Sequence, residues 1–198
     1  MSVIATVPEE ENIMDKKFRY AVVGCKASGK TAVAKGLEKL FQQTWNGTST
    51  QYLSCSIDDF KNYHGVDVDL LRHIYAETNE EFWIKKIHDK INPMCDLIIV
   101  DDIRFKCEIQ YLREIGFKII FLDTDWMIRL ERIVEKQCRS GNDKIPIQQV
   151  KWFYNESELD MEKLPASFYD YKLTLKATDT EAERMDKVTN LYEDLLQN

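Results

Sequence analysis

The chain has 198 residues, of which 44% are hydrophobic and 31% charged, and its net charge is −7. This composition is typical of one globular domain, and the negative charge argues against attraction to nucleic acid or anionic membranes. No stretch contains the roughly 20 apolar residues of a membrane-spanning helix, and the N-terminus lacks the features of a signal peptide. The five cysteines include no C-x-x-C pair, which indicates free thiols in a reducing compartment. We therefore expect a cytoplasmic protein without nucleic-acid or membrane partners, with a flexible tail (residues 1–16) and a single domain (residues 17–198).

A strand, a glycine-containing loop and a helix follow one another near the start of this domain. Residues 18–23 are rich in β-branched and aromatic side chains, which predicts a strand. Apolar residues then recur with helical spacing at Val33, Leu37, Leu40 and Phe41. The loop between them, which we call the phosphate loop, fits the pattern G-x-x-x-x-G-K-[ST]. Its residues are Gly24, Cys25, Lys26, Ala27, Ser28, Gly29, Lys30 and Thr31.

The residue types of the phosphate loop suit the binding of a nucleoside triphosphate. Gly24 and Gly29 permit backbone angles at which successive amides point at one anion, and the following helix adds its positive end. We expect Lys30 to reach the β- and γ-phosphates and the Thr31 hydroxyl to ligate Mg²⁺. The alternative is a β–α turn that binds nothing, but the complete pattern lies in the strand–loop–helix context that phosphate binding requires.

Two acidic residues, Asp58 and Asp59, follow a second predicted strand at residues 51–55. Ligands of open α/β sheets bind at the carboxyl ends of strands, so these carboxylates are placed where a substrate could bind. A solvated turn with a helix-capping Asp is the other interpretation. Two helices are predicted before the third strand, and such an insertion is a place where a kinase could hold its second substrate.

Residues 96–102 combine four consecutive apolar residues with two terminal carboxylates, Asp101 and Asp102. The apolar run predicts a strand that is buried on both faces of a parallel sheet. Next to a phosphate loop, a carboxylate at the end of such a strand usually holds Mg²⁺, directly or through water. Asp101 fits this position better, although the pattern does not separate it from Asp102. Arg104 follows, and its guanidinium either binds a phosphate with two hydrogen bonds or lies on the surface of the next helix.

The helix predicted after a fourth strand (residues 117–122) carries several arginines. We expect Trp126 on its core-facing side, which places Arg129 and Arg132 together on a different face, and Arg139 follows them. These arginines either neutralise a phosphoryl group in transfer or form a solvated basic face. One well-placed Arg can be worth about 10³–10⁵ in the rate of phosphoryl transfer, and the phosphate loop favours that interpretation.

The remaining segments complete an α/β pattern. Residues 152–160 are aromatic and then acidic, which predicts a helix running into a loop, and residues 169–175 predict a fifth strand. Thr180 and Glu183 have the spacing of a capping box at the start of a last helix. We expect that helix to pack onto the sheet through a set of apolar side chains that includes Met185.

Taken together, several stretches resemble the phage-type deoxynucleoside monophosphate kinases, a family in the nucleoside monophosphate kinase branch of the P-loop proteins. The stretches are the phosphate loop, the Asp58-Asp59 pair, residues 100–105, the arginine-bearing helix and residues 157–160. The D-D-x-R-F and S-E-x-D segments are the more specific ones, and the resemblance spans about residues 18–198. It implies a five-stranded parallel sheet flanked by helices, a substrate-binding helical region at about residues 56–93 and an arginine-containing lid at about residues 125–160.

The resemblance also implies roles for individual side chains. The phosphate loop would hold ATP, and Thr31 with Asp101 or Asp102 would hold its Mg²⁺. The catalytic residues would be cations around the transferring phosphoryl group: Lys30, Arg104, Arg129, Arg132 and Arg139. The acceptor would lie against a second set of polar side chains: Asp58, Asp59, Arg104 and Glu158. The family further implies small nucleotide substrates and makes a homodimer plausible.

These features predict Mg²⁺-dependent transfer of the γ-phosphoryl group of ATP to a deoxynucleoside monophosphate. An acceptor phosphate is ionised near neutral pH, so no catalytic base is needed, in agreement with the scattered positions of His64, His73 and His88. Two alternatives stay open. One is another small-molecule P-loop kinase, with phosphomevalonate as its leading acceptor. The other is a nucleotide-dependent switch or binding protein, against which the chain has neither an N-K-x-D nor a D-x-x-G motif.

Overall fold

The computed structural model describes residues 17–55, 82–139 and 156–197. The strands are β1 (Phe18–Val23), β2 (Thr50–Ser54), β3 (Leu97–Ile103), β4 (Lys118–Thr124) and β5 (Tyr171–Leu175). The helices are α1 (Lys30–Thr44), α2 (Phe82–His88), α3 (Lys106–Glu114), α4 (Trp126–Arg139), α5 (Glu156–Glu162) and α6 (Glu181–Gln197). The predicted tail, Asp58 and Asp59, most of the predicted substrate-binding region and part of the predicted lid lie outside the described residues.

The five strands form one sheet in the order β2-β3-β1-β4-β5, and every neighbouring pair is parallel. The predicted five-stranded parallel sheet flanked by helices is therefore confirmed. The central strands consist of nearly continuous apolar residues, and Val22 of β1, Ile98 of β3 and Ile120 of β4 are completely buried. Such runs are expected where helices cover both faces of a parallel sheet, because no side chain of the strand then meets water.

Helices cover both faces of this sheet. On one face α1 packs against α6, with Leu37 and Phe41 of α1 and Val188 of α6 in a shared apolar cluster. On the other face Ile109 and Leu112 of α3 pack into a second cluster. Alternate residues of β1 point into the two clusters, as the two-residue period of a strand requires. The strands are thus fixed from both sides, and their carboxyl ends present the connecting loops at one edge.

The last helix begins as predicted but packs differently at its first turn. The Thr180 amide donates to Glu183 Oε2 at 2.7 Å, and the Glu183 amide donates to Thr180 Oγ1 at 3.3 Å, so the capping box is confirmed. Met185, expected against the sheet, is instead 55% exposed, and that expectation is wrong. Leu191 and Leu195 are buried further along α6, so the apolar contact begins later than the sequence pattern suggests.

Helix α4 departs from the expected packing in its first turn, although Ile133 further along is buried. Trp126 is 58% exposed, so its predicted place in the core is wrong, whereas Arg129 is only 2% exposed. Arg129 has carboxylate partners on α5, and a paired guanidinium can be buried where an unpaired one cannot. Ion pairing with α5 therefore allows Arg129 to be buried in α4 alongside the apolar Ile128 and Ile133.

The sheet order creates a crevice at its carboxyl edge. β1 lies in the centre, with β3 on one side and β4 on the other. The connections that leave β1 and β3 therefore run to opposite halves of the sheet. Ligands of open α/β sheets bind outside the carboxyl ends of the strands at such a point. The phosphate loop, the end of β3 and the beginning of α4 all lie at this edge. None of the helices in the described ranges is long and apolar enough to cross a membrane.

Candidate nucleotide site

The backbone of the phosphate loop has the left-handed conformations that a glycine-rich anion loop requires. Gly24 has φ 148° and Gly29 has φ 99°, and Ala27 between them has φ 59°. A Cβ on Gly24 would lie 2.7 Å from the carbonyl oxygen of Leu122, so glycine is needed there for space as well as for conformation. The loop therefore turns sharply between β1 and α1.

The amides at the start of α1, which we call the open amides, have no acceptor within the helix. The first hydrogen bond of the helix runs from the Val33 amide to the Gly29 carbonyl at 3.0 Å. The amides of Gly29, Lys30 and Thr31 precede it, and no acceptor for them occurs among the residues that the structure describes. Unsatisfied amides at a helix N-terminus, together with its positive dipole end, form a binding site for phosphate.

Lys30 is buried beside these amides. Its ammonium donates to the carbonyl oxygens of Gly24 at 2.9 Å and Cys25 at 2.8 Å, and it lies 3.8 Å from Asp102 Oδ1. Burial lowers the pKa of Lys30, and the Asp102 carboxylate counteracts part of that decrease. A buried ammonium in this position can meet the negative charge of a bound phosphate without first being stripped of bulk water.

Thr31 and Asp101 form a pair that suits Mg²⁺. The Thr31 hydroxyl donates to Asp101 Oδ2 at 2.6 Å, and Oδ1 of the same buried carboxylate has no hydrogen-bond partner of regular geometry in the described part of the chain. Burial raises the pKa of Tyr52 to about 12, and the neighbouring Asp101 carboxylate adds to the increase. No group of three or more Asp, Glu, His or Cys side chains that could hold a metal ion occurs in these ranges. Hydroxyl and carboxylate oxygens are ligands that Mg²⁺ prefers, and its remaining ligands are usually water and substrate phosphates.

Asp102 occupies a different position from Asp101. Its φ is 60°, an uncommon backbone conformation for a residue other than glycine. The Arg104 guanidinium donates to Asp102 Oδ1 through Nε and one terminal nitrogen, each at 3.1 Å. The Glu108 carboxylate accepts from the Arg104 amide at 2.8 Å and so fixes this turn at the start of α3. Asp102 therefore lies between two cations, Lys30 and Arg104.

The arginines of α4 are not equivalent. Arg132 donates from one terminal nitrogen to the carbonyl oxygens of Ala27 at 3.0 Å and Ser28 at 2.6 Å. Arg129 is buried and pairs with carboxylates of α5. The side chain of Arg139 is 81% exposed and bonds Glu135 at 3.2 Å, one turn away on the same helix. The structure thus brings Arg129 and Arg132 to the phosphate loop and leaves Arg139 in solvent.

Glu158 of α5 reaches the phosphate loop directly. Its Oε2 accepts the Lys26 amide at 2.7 Å and lies 3.4 Å from the Arg129 guanidinium. Thr124 at the end of β4 also contacts the loop, because its hydroxyl donates to the Ser28 carbonyl at 2.9 Å. The sequence offered no motif for Thr124 or for Glu108, although each follows a predicted strand. Direct contacts of Glu158 with an acceptor remain a prediction.

Comparisons with known proteins place the fold. No protein-family model and no curated protein matches the chain. Among solved structures, 160 chains match. Kti12 of Chaetomium thermophilum in complex with ADP-AlF3 is 14% identical, with a TM-score of 0.58 over 89% of this chain and 98% of that one. Shikimate kinase from Acinetobacter baumannii in complex with shikimate is 16% identical, with a TM-score of 0.55 over 92% of this chain and 94% of that one.

A gluconokinase from Sinorhizobium meliloti is likewise 16% identical, with a TM-score of 0.53 over 91% of this chain and 96% of that one. At these identities the likeness establishes the fold alone. The chain has the fold of the P-loop kinases, and the matches extend over nearly the whole length of those proteins.

Proposed function

We propose that this protein is a small-molecule kinase that transfers the γ-phosphoryl group of ATP to a deoxynucleoside monophosphate. One observation carries the proposal. The open amides of Gly29, Lys30 and Thr31 lie beside a buried ammonium and a Thr31–Asp101 oxygen pair. This combination supplies the amide donors, the cation and the metal ligands that a bound triphosphate with Mg²⁺ requires. The fold shared with several kinases supports the same class of reaction.

In the proposed reaction an oxygen of the acceptor attacks the γ-phosphorus of ATP while the bond to the β–γ bridging oxygen breaks and ADP leaves. The open amides orient the phosphates, and the Lys30 ammonium compensates charge that builds up on the leaving side. Mg²⁺, held by Thr31 and Asp101, would neutralise charge on the β- and γ-phosphate oxygens. Most of the catalysis is therefore positioning and electrostatic stabilisation.

The choice of a phosphate acceptor rests on Arg104 and on the resemblance of the D-D-x-R-F segment. Arg104 lies at the carboxyl end of β3, next to the buried ammonium of Lys30 and bonded to Asp102. A guanidinium in this position can bind a phosphate monoester with two hydrogen bonds. Because that phosphate is already ionised near neutral pH, the acceptor needs no base.

A second candidate is phosphoryl transfer to a hydroxyl group, and the position of Asp102 favours it. Its carboxylate lies 3.8 Å from the Lys30 ammonium, where it could accept the proton of an attacking hydroxyl. Two proteins of the same fold are a shikimate kinase and a gluconokinase. With a hydroxyl acceptor, Asp102→Asn removes the base and lowers turnover strongly. With a phosphate acceptor, the same change affects mainly the placement of Arg104.

The test is a coupled assay of ADP release with each deoxynucleoside monophosphate, phosphomevalonate, shikimate and gluconate as acceptors. The proposal predicts that a deoxynucleoside monophosphate raises turnover above the ATP-only background, and that Lys30→Ala abolishes the increase. Lys39→Ala, an exposed lysine further along α1, serves as the matched control and keeps it. Stimulation by a hydroxyl compound alone supports the second candidate. Slow, acceptor-independent hydrolysis with tight GDP retention supports a switch protein instead.

A further inference from the structure

One amide of the phosphate loop is occupied by a carboxylate of the protein itself. Glu158 Oε2 accepts the Lys26 amide at 2.7 Å, and Cys25 Sγ lies 3.7 Å from the Glu158 carbonyl oxygen. Glu158 is only 4% exposed, and it lies in the short helix α5 of seven residues. A carboxylate is rarely buried to this extent unless its charge is compensated.

Arg129 compensates that charge. Its guanidinium reaches the same Glu158 oxygen at 3.4 Å and also bonds Glu162 on the next turn of α5. Arg129 is itself buried, so neither partner of the pair is solvated when the other is removed. A chain of contacts therefore runs from α4 through the Arg129–Glu158 pair to the Lys26 amide.

Other side chains donate hydrogen bonds to backbone carbonyl oxygens of the phosphate loop. Arg132 takes the carbonyl oxygens of Ala27 and Ser28, and the Thr124 hydroxyl also donates to Ser28. Lys30 takes the carbonyl oxygens of Gly24 and Cys25. The contacts divide the loop into two parts: its first residues are tied to neighbouring elements, while the amides at the start of α1 stay open.

We propose that Glu158, held by Arg129, is a positioning residue that fixes the first part of the phosphate loop and thereby sets the affinity for ATP. It acts through the Lys26 amide and does not contact the reacting atoms. The inference rests on the proposed binding of ATP to this loop. Losing the contact lets the loop adopt other conformations, and the open amides then converge on a phosphate in only a fraction of the molecules.

The chain contains a matched control for this arrangement. Asp170 accepts the Ile119 amide at 2.7 Å and pairs with the Arg113 guanidinium at 2.9 Å. The chemistry is therefore the same: one carboxylate, one backbone amide and one arginine. Ile119 is near the start of β4, so this cluster lies at the opposite edge of the sheet from the phosphate loop. Its loss removes structural contacts without touching the loop.

The experiment compares Glu158→Ala, Glu158→Gln and Asp170→Ala by melting temperature, by the Kd for ATP with Mg²⁺ and by the split between kcat and KM. We expect Glu158→Ala to raise the Kd and KM for ATP about tenfold, the size of a lost charge-assisted hydrogen bond, with a smaller change in kcat. Glu158→Gln keeps an acceptor for the Lys26 amide and should fall between Glu158→Ala and the wild type. Asp170→Ala should lower the melting temperature and leave the Kd within about twofold, because additive effects are expected for distant sites.

Two results overturn the inference. One is a Kd for Glu158→Ala that changes no more than that of Asp170→Ala. The other is a lower Kd, which means that the carboxylate competes with the nucleotide phosphates. If Glu158→Ala does not fold, the comparison is made with Glu158→Gln and with the double variant Glu158→Gln/Arg129→Met, which removes both charges together. The Kd of Lys30→Ala for ATP is measured in the same experiment. If Lys30→Ala binds ATP as well as the wild type does, the proposed function is contradicted. If Lys30→Ala loses binding but the Glu158 variants do not, only the inference about Glu158 is contradicted.

Discussion

Charged side chains lie at both the carboxyl edge and the amino edge of the parallel sheet, but their solvent exposure differs between the two edges. At the carboxyl edge Lys30, Arg129 and Glu158 are at most 6% exposed. At the amino edge the side chains of Arg113 and Asp170 form a comparable pair while remaining 36% and 22% exposed. Removing an ion from water costs several kcal/mol unless it is well paired. The partly exposed Arg113–Asp170 pair therefore joins its two elements with a smaller desolvation cost than the buried pair does. Burial of charge at the carboxyl edge is therefore not needed to hold the sheet together, and it suits the binding of a polyanion.

Among substitutions at the two edges, Lys30→Met at the carboxyl edge should have the largest effect on turnover. We expect turnover to fall about 10²–10³-fold, because an electrostatic contact to the transferring group is lost from a buried site. The melting temperature should stay equal or rise, because burial lowers the pKa of Lys30 and the buried ammonium costs stability in the folded state. Steady-state kinetics and thermal unfolding of the same preparation test both statements. A large drop in melting temperature with unchanged turnover would make Lys30 structural.

Asp101→Asn should act through the metal. We expect the Mg²⁺ concentration at half-maximal turnover to rise at least about tenfold, since the amide keeps the contact to Thr31 but loses the charge that holds the ion. The measurement is turnover at fixed ATP over a range of Mg²⁺. Asp96→Asn, at the amino edge, is the control and should leave this Mg²⁺ dependence unchanged. A Mg²⁺ requirement that is the same in both variants contradicts the assignment of Asp101.

Substituting Gly116 at the amino edge and Gly24 at the carboxyl edge compares the backbone strain at the two edges of the sheet. Gly116, before β4, has φ 89° and open space around a new Cβ, whereas a Cβ on Gly24 meets the Leu122 carbonyl oxygen at 2.7 Å. We expect Gly116→Ala to lower the free energy of unfolding by about 1–2 kcal/mol, the cost of the left-handed conformation alone. Gly24→Ala adds a steric clash and should cost about 2–5 kcal/mol. Urea unfolding measures the free energy of unfolding of both variants. Equal decreases would mean that the phosphate loop shifts to accommodate the added methyl group on Gly24.

The smallest effect should be a pH dependence at the amino edge. Hydrogen bonds from the Ser49 hydroxyl and the Ser49 amide lower the pKa of Asp96 below its usual value of 3.8. A carboxylate whose folded pKa is depressed contributes stability above its unfolded pKa and loses it as pH falls through the folded pKa. Asp96→Asn should therefore be less stable than the wild type at pH 7, and the difference should disappear on acidification below pH 3.8. A difference that persists unchanged in acid would show that charge is not involved.

The sequence predicts the features that depend on local order and fails where distant residues decide. The phosphate loop, the apolar strands and the Thr180 capping box are each specified by neighbouring residues, and the structure contains them. The buried Arg129 is paired with Glu158, which lies 29 positions later in the chain. Glu158 in turn bonds the Lys26 amide 132 positions earlier. No periodicity within α4 reports such partners, so the sequence pattern places Trp126 in the core and does not indicate the burial of Arg129.

Asp101 and Asp102 illustrate the same limit within one site. Their types and their place at the end of an apolar run predict a metal-binding carboxylate, but the pattern treats them alike. β3 is irregular at this point, because Ala21 of β1 pairs with Val100 whereas Val23 pairs with Ile103, and Asp102 has φ 60°. Asp101 is directed to Thr31 and Asp102 to Lys30 and Arg104. The different contacts of the two carboxylates accompany this local irregularity of β3, which the sequence pattern does not indicate.

We propose that the open amides of the phosphate loop bind the terminal phosphates of ATP. Calorimetric titration of the protein with ATP in the presence of Mg²⁺ measures this binding. We expect saturable binding with one ATP per chain, and loss of that binding in Lys30→Met under conditions where the variant is folded. Absence of binding to the folded wild-type protein, or equal binding to Lys30→Met, would contradict it.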